Sequence, residues 1–322
     1  MAVVCWSLSG CMEADVAPGS MLELSDPGSD LVGREVVSAT EERIRVRGDG
    51  REIPAIVLLP DDYNRRAHFP LVLAVHNFGG GPQRIAGMIE ADRIRRAGNI
   101  VIVPEAAGAV LLDWQGRGIT LGFPHYGEHG QPVDDVVGLM NLLAVACRLY
   151  RVDDNNLNLA GFSQGATRVL ELARRLDQQR PSWVSRVFAV AGSVVAIDHD
   201  GLGFPGADIV HYEPGHNTLQ WFANLRTGEP SEDEFMPALL AAKACTLRER
   251  TTVDGVDTQI YACGDGRSVT RIYEPRGEHA WPGQPEQYDI WLLGRGSISQ
   301  VKMTDLLIAT IAASDTGKVA GR

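Results

Sequence analysis

The spacing of apolar and polar residues changes repeatedly along this chain, and each change marks an element. Between Glu35 and Pro60 the pattern alternates: Arg43-Ile-Arg-Val-Arg47 and Pro54-Ala-Ile-Val-Leu-Leu59 flank Gly48-Asp49-Gly50, which predicts two strands joined as a hairpin. Pro70-Leu-Val-Leu-Ala-Val-His76 is apolar almost throughout, as expected of a strand covered on both faces. A helix is predicted over about Pro82 to Ala97, then a buried strand at Asn99-Ile-Val-Ile-Val-Pro104. The Gly-rich stretch from Ala106 to Gln131, with Trp114, Phe123 and Tyr126, reads as one long loop. Asp134 and Asp135 open an apolar helix to about Tyr150, and Asn156-Leu-Asn-Leu-Ala-Gly-Phe162 is a strand leading into helical spacing from Thr167 to Leu176. Further strands are expected at Arg186 to Ala191, Asp208 to Tyr212, Thr258 to Ala262 and Val269 to Glu274, with helices near Glu234 to Thr246 and Ser299 to Ala313. Strand and helix in alternation imply an α/β architecture, with a mostly parallel central sheet and helices on both faces. Reactive groups on such sheets gather at the C-terminal ends of strands, here His76 to Gly81, Ser163 and the residues after Tyr212.

Composition and charge narrow the partners. The 322 residues are 44% apolar and 22% charged, the balance of a globular chain, and the stretch 35–322 reads as a single domain after an N-terminal segment 1–34. A net charge of −11 without any Lys/Arg cluster argues against nucleic acid or an anionic membrane as partner. Met1 to Gly10 is apolar, and Leu8-Ser9-Gly10-Cys11 resembles the lipobox of bacterial lipoproteins, in which cleavage precedes a lipidated Cys. The stretch lacks a positive n-region and its apolar run is short, defects that an upstream start would explain; a frayed tail is the other reading. The expectation is an exported protein, anchored through Cys11 to the outer face of a bacterial membrane or secreted, with Met12 to Asp30 as a flexible tether. Of the remaining cysteines, Cys147 sits in an apolar helix as a small hydrophobe, while Cys245 and Cys263 either pair in an oxidising compartment or stay as buried thiols.

Candidate chemistry centres on Gly161-Phe162-Ser163-Gln164-Gly165, a G-x-S-x-G placed between a strand and a helix. In that context Ser163 is a candidate nucleophile exposed on a strained turn; a chance match, with Ser163 merely capping the helix, is the alternative. A serine hydroxyl needs a base and donors for the oxyanion it creates. Chain order Ser, acid, His makes His279 the candidate base, since it follows the last pair of strands, against a solvated loop His. The oxyanion donors expected are the amides of Gln164 and Phe78, the latter in Asn77-Phe78-Gly79-Gly80-Gly81, which otherwise reads as a surface turn. This chemistry calls for no metal and no cofactor.

These stretches resemble secreted polyhydroxyalkanoate (polyhydroxybutyrate) depolymerase-like and feruloyl-esterase-like enzymes of the α/β-hydrolase fold. Pro70 to Gly81 resembles their P-L-V-V-x-L-H-G-C-G-G, Val152 to Gly165 their V-D-P-x-R-V-Y-x-x-G-x-S-x-G, and Gly277-Glu-His-Ala-Trp-Pro-Gly283 their G-x-G-H-x-W-P-G. The likeness runs roughly from Arg43 to Ala313, and Cys245 and Cys263 fall where that family often has a Cys on either side of a strand. The resemblance implies an ester substrate, with Ser163 as nucleophile and His279 as base. Two positions depart from it: Asn77 replaces a Gly, and Asn217, in Glu213-Pro-Gly-His-Asn217, stands where the family has its acid. Asn217 is therefore the expected partner of His279, with Glu213 as the alternative. The function expected is a serine esterase acting on a polyester, an acylated polysaccharide or an aromatic-acid ester. A weakened or inactive hydrolase-fold binding protein at the cell surface, or a serine peptidase, are the other readings.

Overall fold

The computed structural model describes residues 30–48, 52–77, 80–105, 109–112, 118–121, 135–192, 204–216, 232–283 and 299–319. In chain order the elements are β1 (Leu31–Val36), β2 (Glu41–Arg47), β3 (Glu52–Leu58), β4 (Phe69–Val75), α1 (Pro82–Met88), α2 (Ala91–Arg96), β5 (Ile100–Pro104), β6 (Ala109–Leu112), β7 (Gly118–Leu121), α3 (Asp135–Leu149), β8 (Val152–Phe162), α4 (Gln164–Gln179), β9 (Val184–Val190), β10 (Asp208–His216), α5 (Glu232–Ala242), β11 (Thr246–Val253), β12 (Val256–Ala262), β13 (Ser268–Glu278) and α6 (Met303–Val319).

Eleven strands form one sheet in the order β1-β2-β3-β5-β4-β8-β9-β10-β13-β12-β11. The sheet is mixed, which corrects the mostly parallel expectation. The six strands from β5 to β13 in that order are parallel to one another. Both flanks, β1-β2-β3 against β5 and β11-β12 against β13, are antiparallel. Chain length between consecutive strands decides the direction within each flank, though not that of β3 against β5, which are not consecutive. The connections 37–40, 48–51, 254–255 and 263–267 are too short to hold the crossover of about a dozen residues that a parallel pair requires.

The central strands separate two apolar layers. Leu71, Leu73 and Val75 of β4 face one cluster with α3, α4 and α5, through Leu139, Val169, Leu172, Met236 and Leu239. Val72 and Ala74 face the other, with Ile85, Met88 and Ile94 of α1 and α2 and Met303, Leu307 and Ile311 of α6. Alternate residues thus serve opposite layers, so these strands read as continuous apolar runs in the sequence.

Several boundaries differ from expectation for local reasons. The single helix predicted over Pro82 to Ala97 is two helices, because Glu90 adopts φ 54°, ψ 50°, a left-handed conformation that ends one and starts the other. The stretch read as one loop contains the hairpin β6–β7. The sheet begins at Leu31, directly after the stretch Met12 to Asp30 read as a tether and within the N-terminal segment 1–34. Cys245 and Cys263 form a disulfide that ties the start of β11 to the end of β12, beside the ion pair of Lys243 with Asp265. Cys147 is a buried free thiol.

Candidate active site

The parallel strands β4, β8, β10 and β13 end on one edge of the sheet, and the groups singled out in the sequence come from their C-terminal ends. β8 passes directly into α4 through Ser163, which holds φ 57°, ψ −122°. A non-glycine residue in such a conformation costs on the order of 1–3 kcal/mol. The Ser163 N–H donates to Val190 O at 2.9 Å and the Ala166 N–H to Ser163 O at 2.9 Å, fixing the turn from both sides.

The flanking glycines are there because backbone meets backbone. A Cβ on Gly161 would lie 2.2 Å from Gly165 O, and one on Gly165 would lie 2.2 Å from Val75 O and 2.7 Å from His76 O. Helix α4 is thereby seated against the end of β4 as well as on β8. Ser163 stands at the N-cap of α4, yet its side chain makes no capping bond. Its hydroxyl lies instead 2.8 Å from His279 Nε2.

His279 follows the last residue of β13, and a backbone irregularity brings it there. β10 and β13 pair in register as far as Pro214 opposite Glu274, then resume with His216 opposite Glu278, so β13 carries extra residues in between. The imidazole is 6% exposed, with its ring centroid 5.1 Å from that of Phe162, and so is not a solvated loop His. Burial lowers its pKa to about 4, which leaves the ring neutral and able to take a proton at neutral pH. Its Nδ1 has no hydrogen-bond partner among the described residues. Two residues on, the buried Trp281 donates through Nε1 to Thr304 Oγ1 at 3.1 Å, and Thr304 in turn donates to Ile89 O at 3.0 Å. The His-Ala-Trp-Pro-Gly loop is thus pinned to α6 and to the break between α1 and α2.

The other expected residues divide. Gln164 is the first residue of α4, where unpaired amides and the helix dipole favour negative charge. His76 and Asn77 are buried at the end of β4; Asn77 O accepts the Gly80 N–H at 3.0 Å and lies 2.8 Å from His76 Nδ1. Phe78 and Asn217 lie outside the described residues. His216, just before Asn217, pairs by backbone register with Glu278, just before His279. Glu213 is engaged elsewhere: its buried carboxylate receives Nε and Nη2 of Arg271, each at 2.7 Å.

One group near the site escaped the sequence reading. Glu274 is 6% exposed, and it accepts hydrogen bonds from Tyr212, Ser299 and the Gln300 N–H. Its signal was a carboxylate two residues after Ile272, on the face that a buried strand keeps apolar.

No family model and no curated protein matches the chain. Similar solved structures include an acetyl xylan esterase from Aspergillus awamori, 12% identical over 71% of this chain and 91% of that one, with a TM-score of 0.48. Est1E from Butyrivibrio proteoclasticus with ferulic acid bound is 10% identical over 86% and 99%, with a TM-score of 0.47. EstE1, a thermostable carboxylesterase cloned from a metagenomic library, is 21% identical over 48% and 47%, with a TM-score of 0.36. The chain spans about half the length of EstE1 and, in another of its structures, of Est1E. These neighbours are esterases, at a likeness too low to carry their activity or their fold to this chain.

Proposed function

We propose that this chain is a serine esterase of the α/β-hydrolase type, acting on carboxylic esters through an acyl-enzyme on Ser163. The observation that carries the reading is the 2.8 Å approach of Ser163 Oγ to His279 Nε2 at a strained strand-to-helix turn. In this reading the Ser163 proton passes to Nε2 as Oγ attacks the ester carbonyl carbon. The oxyanion lies against the amides of Gln164 and Phe78. The intermediate collapses, the alcohol leaves with the proton from His279, and water activated by the same base hydrolyses the acyl-enzyme.

The motifs shared with depolymerase-like and feruloyl-esterase-like enzymes favour a polyester, an acylated polysaccharide or an aromatic-acid ester as substrate. Asn217 orients His279 in this proposal and supplies no charge, which makes the enzyme slow. That Nδ1 of His279 finds no hydrogen-bond partner among the described residues is the observation that favours the second reading, a binding protein on a hydrolase scaffold. A peptidase would use the same groups, and a substrate panel separates it. The disulfide supports folding in an oxidising compartment, in line with export and with a lipid anchor at Cys11.

The test is labelling with a fluorophosphonate probe and peptide mapping, together with turnover of short p-nitrophenyl esters. Label on Ser163 and loss of both label and turnover in Ser163→Ala are expected. Folded wild-type protein that neither labels nor turns over, or that labels on another serine, overturns the esterase reading.

A further inference from the structure

The carboxylate of Glu274 sits under the irregular stretch of β13 that ends at His279. Between the paired positions Pro214–Glu274 and His216–Glu278, β10 has the one residue Gly215 where β13 has the three residues Pro275, Arg276 and Gly277. The surplus is taken up as a bulge, a device that re-aims a strand. The bulge is packed without slack: a Cβ on Gly277 would lie 2.5 Å from the Tyr212 hydroxyl, and one on Gly215 would lie 2.3 Å from Pro275 O.

Three donors converge on Glu274 there. Tyr212 of β10 donates to Oε2 at 2.6 Å, Ser299 donates to the same oxygen at 2.6 Å, and the Gln300 N–H donates to Oε1 at 3.1 Å. Burial and the carboxylate push the Tyr212 hydroxyl well up, so it stays a donor. Ser299 Oγ also accepts the Val301 N–H at 3.0 Å, which carries the link to the start of α6. One side chain therefore joins β10, β13 and the segment leading into α6. No cation touches this carboxylate among the described residues, so the three donors alone compensate its burial.

We propose that Glu274 is a positioning residue for His279: it locks the β13 bulge that brings the imidazole to Ser163. The proposal rests on the reading of Ser163 and His279 as the reacting pair. Misplacing such a group by 1 Å costs on the order of 100-fold in rate.

Glu274→Gln keeps the volume and one acceptor oxygen, but its amide nitrogen cannot accept, so whichever way the amide turns either the Gln300 N–H or the Tyr212 and Ser299 hydroxyls face a donor. The expected result is a fall in kcat of about 10- to 100-fold on p-nitrophenyl acetate with KM within about 2-fold. Fluorophosphonate labelling of Ser163 should slow in parallel, and the His279 ring, followed by NMR of histidine-labelled protein, should titrate at higher pH as it leaves its buried seat. If the variant is folded by circular dichroism and all three readouts match wild type, the proposal is overturned, even where the melting temperature drops. If Glu274→Gln does not fold, Tyr212→Phe and Ser299→Ala each remove one donor and are read in the same way, with smaller shifts expected. Wild type that neither turns over nor labels marks a failure of the esterase reading; the ring titration then decides the positioning claim alone.

Discussion

At the scale of single residues, His279 is the unusual group. A triad carboxylate fixes the imidazole tautomer and stabilises the imidazolium, and its replacement by Asn in a trypsin-like triad costs roughly 10⁴-fold. Here Nδ1 has no partner among the described residues, and burial alone sets the pKa near 4. In the reading proposed above, the acid limb of kcat/KM for wild type therefore falls close to pH 4 rather than near the ordinary histidine value. Asn217→Asp is expected to raise kcat for a simple ester by at least about tenfold and to move that limb upward, since a nearby carboxylate favours the charged ring. Glu213→Gln should leave kcat nearly unchanged, because Glu213 is spoken for by Arg271. Profiles of rate against pH for both variants provide the check; a loss of rate in Glu213→Gln without a gain in Asn217→Asp would hand the role to Glu213.

At the scale of elements, the joint between α4 and β4 leaves no room for a side chain. Gly165→Ala would drive a methyl to 2.2 Å from Val75 O, so the N-terminus of α4 must back away from β4. Loss of most Ser163 labelling, with a destabilisation of about 1–3 kcal/mol in urea unfolding, is expected; a variant that labels at the wild-type rate would show that the close seat is not needed. Such contacts also explain what the sequence could and could not reveal. The central strands, the elbow and α4 were legible because β4 and β5 are buried throughout and Gly161-Phe-Ser-Gln-Gly165 needs its glycines sterically. β11 was not, since every one of its residues is exposed and no alternation is imposed on it. Ladder bonds to β12 and the Cys245–Cys263 link hold it in place, and neither leaves a periodic trace. The break at Glu90 was equally hidden, because a left-handed residue inside an apolar helical pattern follows from packing rather than propensity. Of the candidate site, Ser163, singled out by its G-x-S-x-G context, and His279, by chain order and its neighbours, lie with Oγ and Nε2 2.8 Å apart. The Glu274 brace depends on contacts between distant segments that no local pattern encodes.

At the scale of the whole molecule, buried histidines link stability to pH. His211 is pushed down to about 4 by burial and then by Arg271, His279 to about 4 by burial, and His76 downward by burial. A group whose folded pKa lies below its unfolded value binds protons preferentially in the unfolded chain, so stability is fully present above the unfolded value and falls as pH drops toward the folded one. For His211 and His279 that window runs from 6.5 down to about 4. Each pH unit within it costs about 1.4 kcal/mol per group, so lowering the pH from 7 to 5 should remove about 4 kcal/mol from these two alone. Against a typical stability of about 5–15 kcal/mol that is a large fraction, and acid unfolding should begin well above the carboxylate range. Urea unfolding at pH 7 and pH 5 measures it, and His211→Gln, which removes one of the two titrations, should reduce the pH dependence by about half whatever it does to absolute stability. Equal unfolding free energies at the two pH values in wild type would mean that these rings are protonated, and accommodated, inside the folded sheet.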